Sequence, residues 1–299
     1  MEGFLGIFCA TVVVLVVLWL ALRYWLSGDL CECARDMHGK RVLITGATSG
    51  MGTHIARRVA QAGADIVLLV RRRSAGEALA DELKAQYPQC GAVRVVCADL
   101  NDLETVVSAV PEIKRVLVDL AKDKDGADPD AEHKEPALDV LVNNAGVLFA
   151  PMKETAQGLE PHFGVNFVAS FVLTTALLPC LRAAGRDARV VSVSSLTYKL
   201  AQAVLGGVRE ELFTHKSIAE RGGFWGSNAM VKYAHSKYAI LQFMLGLNRR
   251  EAASGSCVRA FAVDPGVVLT GITRSMPVLI DKVWLALFVL LSSTCMHGL

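Results

Sequence analysis

Tyr233 and Lys237 stand four positions apart in the run KYAHSKYAILQF. On a helix that spacing brings both side chains to one face, a single turn apart. A tyrosine ordinarily titrates at about 10 and is a poor base at neutral pH. A neighbouring ammonium favours the phenolate and lowers that value. The pair therefore describes a phenol able to exchange a proton near neutral pH. Taken singly the spacing is weak, because it arises by chance on many amphipathic helices. Ser194-Ser195 at the end of RVVSVSS is, taken singly, a turn, and Asn143-Asn144-Ala145-Gly146 a loop at a strand end.

A second group of residues has the chemistry of phosphate recognition. RVLIT (residues 41–45) runs straight into GATSGMG, with Gly46, Gly50 and Gly52 as the spaced glycines, and a helical stretch follows. Such glycines permit a tight turn and close backbone approach to a pyrophosphate, while the helix N-terminus faces the negative charge. The spacing is GxxxGxG rather than GxGxxG, in the strand-before, helix-after context that such a loop requires. The next strand ends at Val70 and is followed by Arg71, Arg72 and Arg73 with no acidic residue. An acid there would bind a ribose 2′-hydroxyl, whereas an arginine accommodates a 2′-phosphate. NADP(H) is therefore the expected cofactor. The competing explanation is a basic surface patch beside an anionic membrane.

These residues need elements to hold them. Short β-branched runs occur at 41–45, 65–70, 93–98, 138–143, 189–194 and 258–263. They are almost continuously apolar, as expected of parallel strands covered on both faces. Helical stretches separate them. Gly63 fits the position just past a helix end, and Asn101 with Glu104 forms a capping pair that opens another helix. Alternating β and α elements predict an α/β chain with a doubly wound parallel sheet. Two segments interrupt the alternation. Residues 121–136 (AKDKDGADPDAEHKEP) are dense in charge and read as a solvated loop. Residues 200–230 are mixed and glycine-bearing, and read as a long lid or binding loop.

Taken together the motifs resemble the short-chain dehydrogenases/reductases, from about Gly39 to Thr270. Thr45 with the glycines matches TGxxxGxG, Asn143–Gly146 matches NNAG, and Tyr233 with Lys237 matches YxxxK. These motifs, with Asn166 in GVNFVAS, Ser194-Ser195 in RVVSVSS and the PGxVxT-like segment 264–270 also in family order, carry a weight that none carries alone. The resemblance implies a Rossmann fold and catalytic roles for Asn166, Ser195, Tyr233 and Lys237. It further implies that Gly46, Ser49, Gly50, Met51, Gly52, Arg71, Asp99, Leu100, Asn144, Ala145, Gly146, Tyr233, Lys237, Val268 and Thr270 line the cofactor cleft. In that reading Ser195 holds the substrate oxygen, Tyr233 exchanges its proton, Lys237 holds the nicotinamide ribose, and Asn166 positions a water. Ser49 departs from the basic residue that many NADP-preferring relatives carry before the second glycine. The anchor-like N-terminus, the arginines and KYAHSKYAILQF resemble the retinol dehydrogenase branch. That implies hydride transfer between NADP(H) and a lipophilic alcohol or carbonyl compound, with retinoids, sterols and fatty aldehydes all open. A homo-oligomer is compatible with the family. The alternative is a catalytically silent nucleotide-binding membrane scaffold.

The chain has 299 residues and a formal net charge of +2, which gives no reason to expect nucleic acid as a partner. Phe4 to Leu26 carries no charge before Arg23, and Trp19, Tyr24 and Trp25 cluster at its end. Its length and aromatic belt read as an N-terminal transmembrane helix. A cleaved signal peptide fits less well, for lack of a basic leading region. Arg23, Arg35, Lys40 and Arg41 follow the segment, so the catalytic bulk is expected in the cytosol, on an endoplasmic-reticulum membrane. The expected organisation is an anchor at 1–27, a linker at 28–39, a single catalytic domain at 40–276 and an apolar C-terminal segment at 277–299. The run VWLALFVLL (283–291) reads as a pocket or interfacial helix. Family members usually continue further, and without that continuation a sheet edge is expected to be exposed. Eight scattered cysteines without a CxxC pair suit a reducing compartment and give no metal site. Cys31 and Cys33, just past the apolar segment, are candidates for palmitoylation.

Overall fold

The computed structural model describes residues 13–14, 16–21, 35–125, 135–148, 154–205 and 229–266. Residues 13–14 and 16–21 are helical, and the valines and leucines among them are largely exposed. They belong to one compact unit and residues 35–266 to another. The rest of the expected membrane segment, Cys31, Cys33, Val268, Thr270 and the run 283–291 lie outside the described residues.

The larger unit is a six-stranded sheet: β1 (Arg41–Thr45), β2 (Asp65–Val70), β3 (Val93–Cys97), β4 (Val140–Asn143), β5 (Ala188–Val193) and β6 (Val258–Val263). Every pairing is parallel, in the order β3-β2-β1-β4-β5-β6. This is the doubly wound order of the Rossmann fold. All six residues of β2 are buried, because helices cover both faces of a parallel sheet. The flanking helices are α1 (Met51–Gln61), α2 (Arg73–Gln86), α3 (Leu103–Asp125), α4 (Ala169–Ala183), α5 (Tyr198–Leu205) and α6 (Ala229–Ala253). A wide π-helical segment, His162–Val168, leads into α4. One apolar cluster joins α3, α4 and α6 to the sheet through Leu117, Leu173 and Met244, and another joins α1 and α2 through Ala56 and Leu83.

Gly63 follows the α1 cap at φ 87°, as expected, and a Cβ there would lie 2.5 Å from the His38 ring. Three details differ from the sequence reading. The cap of α3 is Asp102, whose carboxylate accepts the Glu104 N–H at 3.0 Å, not Asn101. Helix α3 runs on to Asp125, into the segment read as a loop, because Ala and Lys are good helix formers whatever their charge density. Likewise residues 198–205 are helical, where the long loop was expected to begin at 200. Residues 126–134 and 206–228 lie outside the described residues. Among the described residues β6 is an edge strand, with Phe261 45% and Val263 43% exposed. The apolar helix 162–183 is long enough to cross a membrane, but most of it is buried within the fold.

Candidate active site

A parallel sheet sends the C-terminal end of every strand to the same edge. Gly46 leaves β1, Arg71 leaves β2, Asp99 and Leu100 follow β3, Asn144–Gly146 leave β4 and Ser195 follows β5. The strand order reverses between β1 and β4, so their exit loops diverge there and open a crevice.

Thr45 and Asn144 tie the two sides of that crevice together. The Thr45 hydroxyl accepts the N–H groups of Asn144 (3.1 Å) and Ala145 (3.0 Å). The Asn144 amide donates to the carbonyls of Thr45 (3.0 Å) and Gly46 (3.2 Å). The fit leaves no space for a side chain. A Cβ on Gly52 would sit 2.2 Å from the Gly46 carbonyl oxygen, and one on Gly46 only 2.8 Å from the Ala145 Cα. Gly46 and Gly50 have φ of 66° and 56°, in the left-handed region that glycine tolerates. No side chain caps the N-terminus of α1, so its first N–H groups remain available to an anion. Ser49 is exposed, and Met51 opens the helix. Arg71 is exposed and makes no ion pair or hydrogen bond among the described residues, whereas Arg73 pairs with Glu112 at 3.7 Å. This cradle fits the phosphates of a dinucleotide.

The proton-active residues converge on the other side. Lys237 is 2% exposed, and its ammonium donates to the Val193 carbonyl at 2.7 Å. It lies 5.4 Å from the centre of the Tyr233 ring. Tyr233, 8% exposed, shares a hydrogen bond with the Ser195 side chain. Ser194 anchors α6 to β5 by donating to the Lys237 carbonyl at 3.1 Å. Asn166 is fully buried on the π-helical segment. Its side chain accepts the Val147 N–H at 2.7 Å and donates to the Val147 carbonyl at 3.1 Å and the Ser236 hydroxyl at 3.0 Å. A Cβ on Gly146 would meet Asn166 at 3.3 Å and the Lys237 ammonium at 3.6 Å, so the loop after β4 lies against both.

The electrostatics differ from the sequence expectation. Burial pushes the Tyr233 phenol up to about 12, partly opposed by Ser195 and reinforced by the Asp264 carboxylate. Burial also pulls Lys237 down to about 8. Desolvation governs both groups, because they are enclosed together, and it moves the phenol in the direction opposite to that suggested by the spacing alone.

The sequence reading missed Ser236, which joins Asn166 to α6, and the pair Glu160–His162. Ser236 immediately precedes Lys237 in YAHSK, but nothing in its type announces a contact seventy residues away in sequence. Glu160 and His162 are both 4% exposed and lie 2.6 Å apart, oxygen to Nδ1.

Comparison with known proteins identifies the family. The family model for short chain dehydrogenases matches residues 40–206. Retinol dehydrogenase 12 of Mus musculus is 34% identical over 85% of this chain and 70% of its own length. Polyprenol dehydrogenase of Homo sapiens is 30% identical over 87% of this chain and 70% of its own length. Among solved structures, a putative NAD(P)-dependent gluconate 5-dehydrogenase from Beutenbergia cavernae with bound NADP superposes with a TM-score of 0.58. It is 27% identical and covers 84% of this chain and 80% of its own. With its sheet order, its crevice and these relatives, the chain belongs to the short-chain dehydrogenase family, whose members are nicotinamide-dependent alcohol and carbonyl oxidoreductases.

Proposed function

We propose that this chain is an NADP(H)-dependent, membrane-anchored reductase of lipophilic carbonyl compounds, with retinoid-like or polyprenoid-like aldehydes as the first candidates. The observation that carries the reading is the convergence of Tyr233, Ser195 and Lys237 beside the glycine cradle. Similarity to retinol and polyprenol dehydrogenases supports a long apolar substrate. The exposed apolar helical residues 13–14 and 16–21 support delivery from a bilayer.

When bound, the nicotinamide supplies or accepts the hydride. The chain's own residues handle position and proton. A phenol held at about 12 stays protonated at neutral pH, so Tyr233 is a proton donor to a carbonyl oxygen. Ser195 offers that oxygen a second hydrogen bond and fixes its approach. Lys237, tethered to Val193, keeps its remaining N–H groups for the ribose of the cofactor. Asn166 clamps the loop after β4 to α6, and so sets the distance between cradle and phenol. Asp99 and Leu100, which follow β3, are the groups for the adenine in the family pattern. Arg71, exposed and unpaired among the described residues, is the group for a 2′-phosphate.

Three measurements check this. Tyr233→Phe should lower kcat for aldehyde reduction by a factor on the order of 10² to 10⁴ while leaving the Kd for NADPH within about twofold; turnover retained by that variant rules out Tyr233 as the donor. Arg71→Ala should weaken NADPH binding at least tenfold, on the order of a charge-assisted phosphate contact, and leave NADH binding unchanged; equal losses for the two cofactors remove Arg71 from the 2′-phosphate. Lys237 holds its proton below pH 8 and loses it above. NADPH affinity should therefore be flat from pH 6 to 7.5 and weaken progressively as pH rises through 8 to 9.5, as read by nicotinamide fluorescence. Affinity that is constant to pH 9.5 contradicts an ammonium contact to the cofactor.

A further inference from the structure

Behind the Tyr233 ring lies a buried pair that the reaction as described does not use. Glu160 directs one carboxylate oxygen to the Nδ1 of His162 at 2.6 Å, and the other accepts the Phe163 N–H at 2.8 Å. The carboxylate thus satisfies an amide at the start of the π-helical segment and fixes the imidazole at the same time. His162 Nε2 is buried without a hydrogen-bond partner among the described residues. An unpartnered polar atom at 4% exposure is unfavourable, so packing alone would favour an apolar residue there. The imidazole's aromatic neighbour among the described residues is Tyr233. The two rings meet edge to face, with centroids 6.4 Å apart and planes at 82°. That is a preferred aromatic geometry, with the positive edge of one ring on the negative face of the other.

We infer that Glu160 and His162 form a positioning pair for Tyr233, in which the carboxylate locks the imidazole and the imidazole ring locks the plane of the phenol. The inference rests on Tyr233 being the proton donor. Ser195 constrains only the phenol oxygen. A hydrogen bond at the oxygen leaves the ring free to turn about its long axis and to tilt, and His162 removes that freedom. Asn166 lies one turn further along the same segment and clamps it to α6 through Ser236, so the imidazole and the phenol are referred to one rigid frame. The expected consequence is kinetic. A misplaced donor lowers the rate of the chemical step and leaves binding alone.

The test uses the full-length chain in detergent micelles with NADPH and retinaldehyde or decanal, whichever the wild type reduces faster. His162→Asn keeps a donor for Glu160 and removes the ring. Glu160→Gln combined with His162→Phe keeps a ring and removes both the charge and the bare nitrogen. H162N should lose roughly ten- to a hundredfold in kcat, with KM and the NADPH Kd within about twofold. The E160Q/H162F variant should recover at least fivefold in kcat over H162N. The inference falls if H162N keeps its kcat, if NADPH binding falls in parallel with kcat or is lost, or if E160Q/H162F is as slow as H162N. Tyr233→Phe, measured alongside, separates the two claims. If it still turns over, the donor assignment itself is wrong; if it is inactive while H162N is unimpaired, only the positioning pair is wrong.

Discussion

Everything at the candidate site depends on one close approach, that of the loop after β1 to the loop after β4. These strands are neighbours at the point where the sheet order reverses, and their exits leave in opposite directions. A crevice so formed holds its shape only if something joins its walls. Thr45 and Asn144 do this with four hydrogen bonds among them, and Gly46 and Gly52 allow it by having no side chains. A Cβ at Gly52 would collide with the backbone that carries those bonds. The glycine cradle and the frame around Tyr233 are therefore parts of one construction. Gly146, three residues past β4, lies against Asn166 and Lys237.

The second ordering principle is desolvation. Opposite or like charges at close range shift a titration by about one to three units, and full burial by as much as three to five. Lys237 and Tyr233 are enclosed together, so burial governs both, lowering the lysine and raising the phenol. A phenol raised in this way suits donation to a carbonyl oxygen better than abstraction from an alcohol. The same enclosure makes each polar contact count, since Val193 for Lys237 and Ser195 for Tyr233 replace water that has been excluded.

Much of this was legible from the amino-acid sequence, for identifiable reasons. Strands buried on both faces must be apolar throughout, so RVLIT and DIVLLV declared themselves together with their ends. Gly63 and Gly46 could be placed because glycine is favoured at the positive φ that a helix end and a tight phosphate turn require. Asn144 and Lys237 sat in strings whose order matters more than any one residue. What escaped was set by tertiary contact. The choice of Asp102 over Asn101 as a cap turns on one residue of helix phase. Helix 198–205 lay in a stretch whose composition is mixed. Glu160 and His162 are ordinary residues two positions apart, and their importance comes only from burial against Tyr233.

The chain thus combines a glycine cradle, a buried tyrosine beside Ser195 and Lys237, and an exposed apolar helical stretch at residues 13–14 and 16–21. The proposed reaction delivers hydride from the nicotinamide to the carbonyl carbon while Tyr233 gives its proton to the carbonyl oxygen. The most direct measurement is isotopic: NADPH carrying deuterium at C4, prepared with each face labelled in turn, supplied with retinaldehyde to the full-length chain in detergent. The account predicts an alcohol bearing one deuterium on the former carbonyl carbon from one labelled face only. An alcohol formed without deuterium from either face would contradict it, as would the absence of any alcohol from retinaldehyde and from polyprenoid and simple aliphatic aldehydes alike.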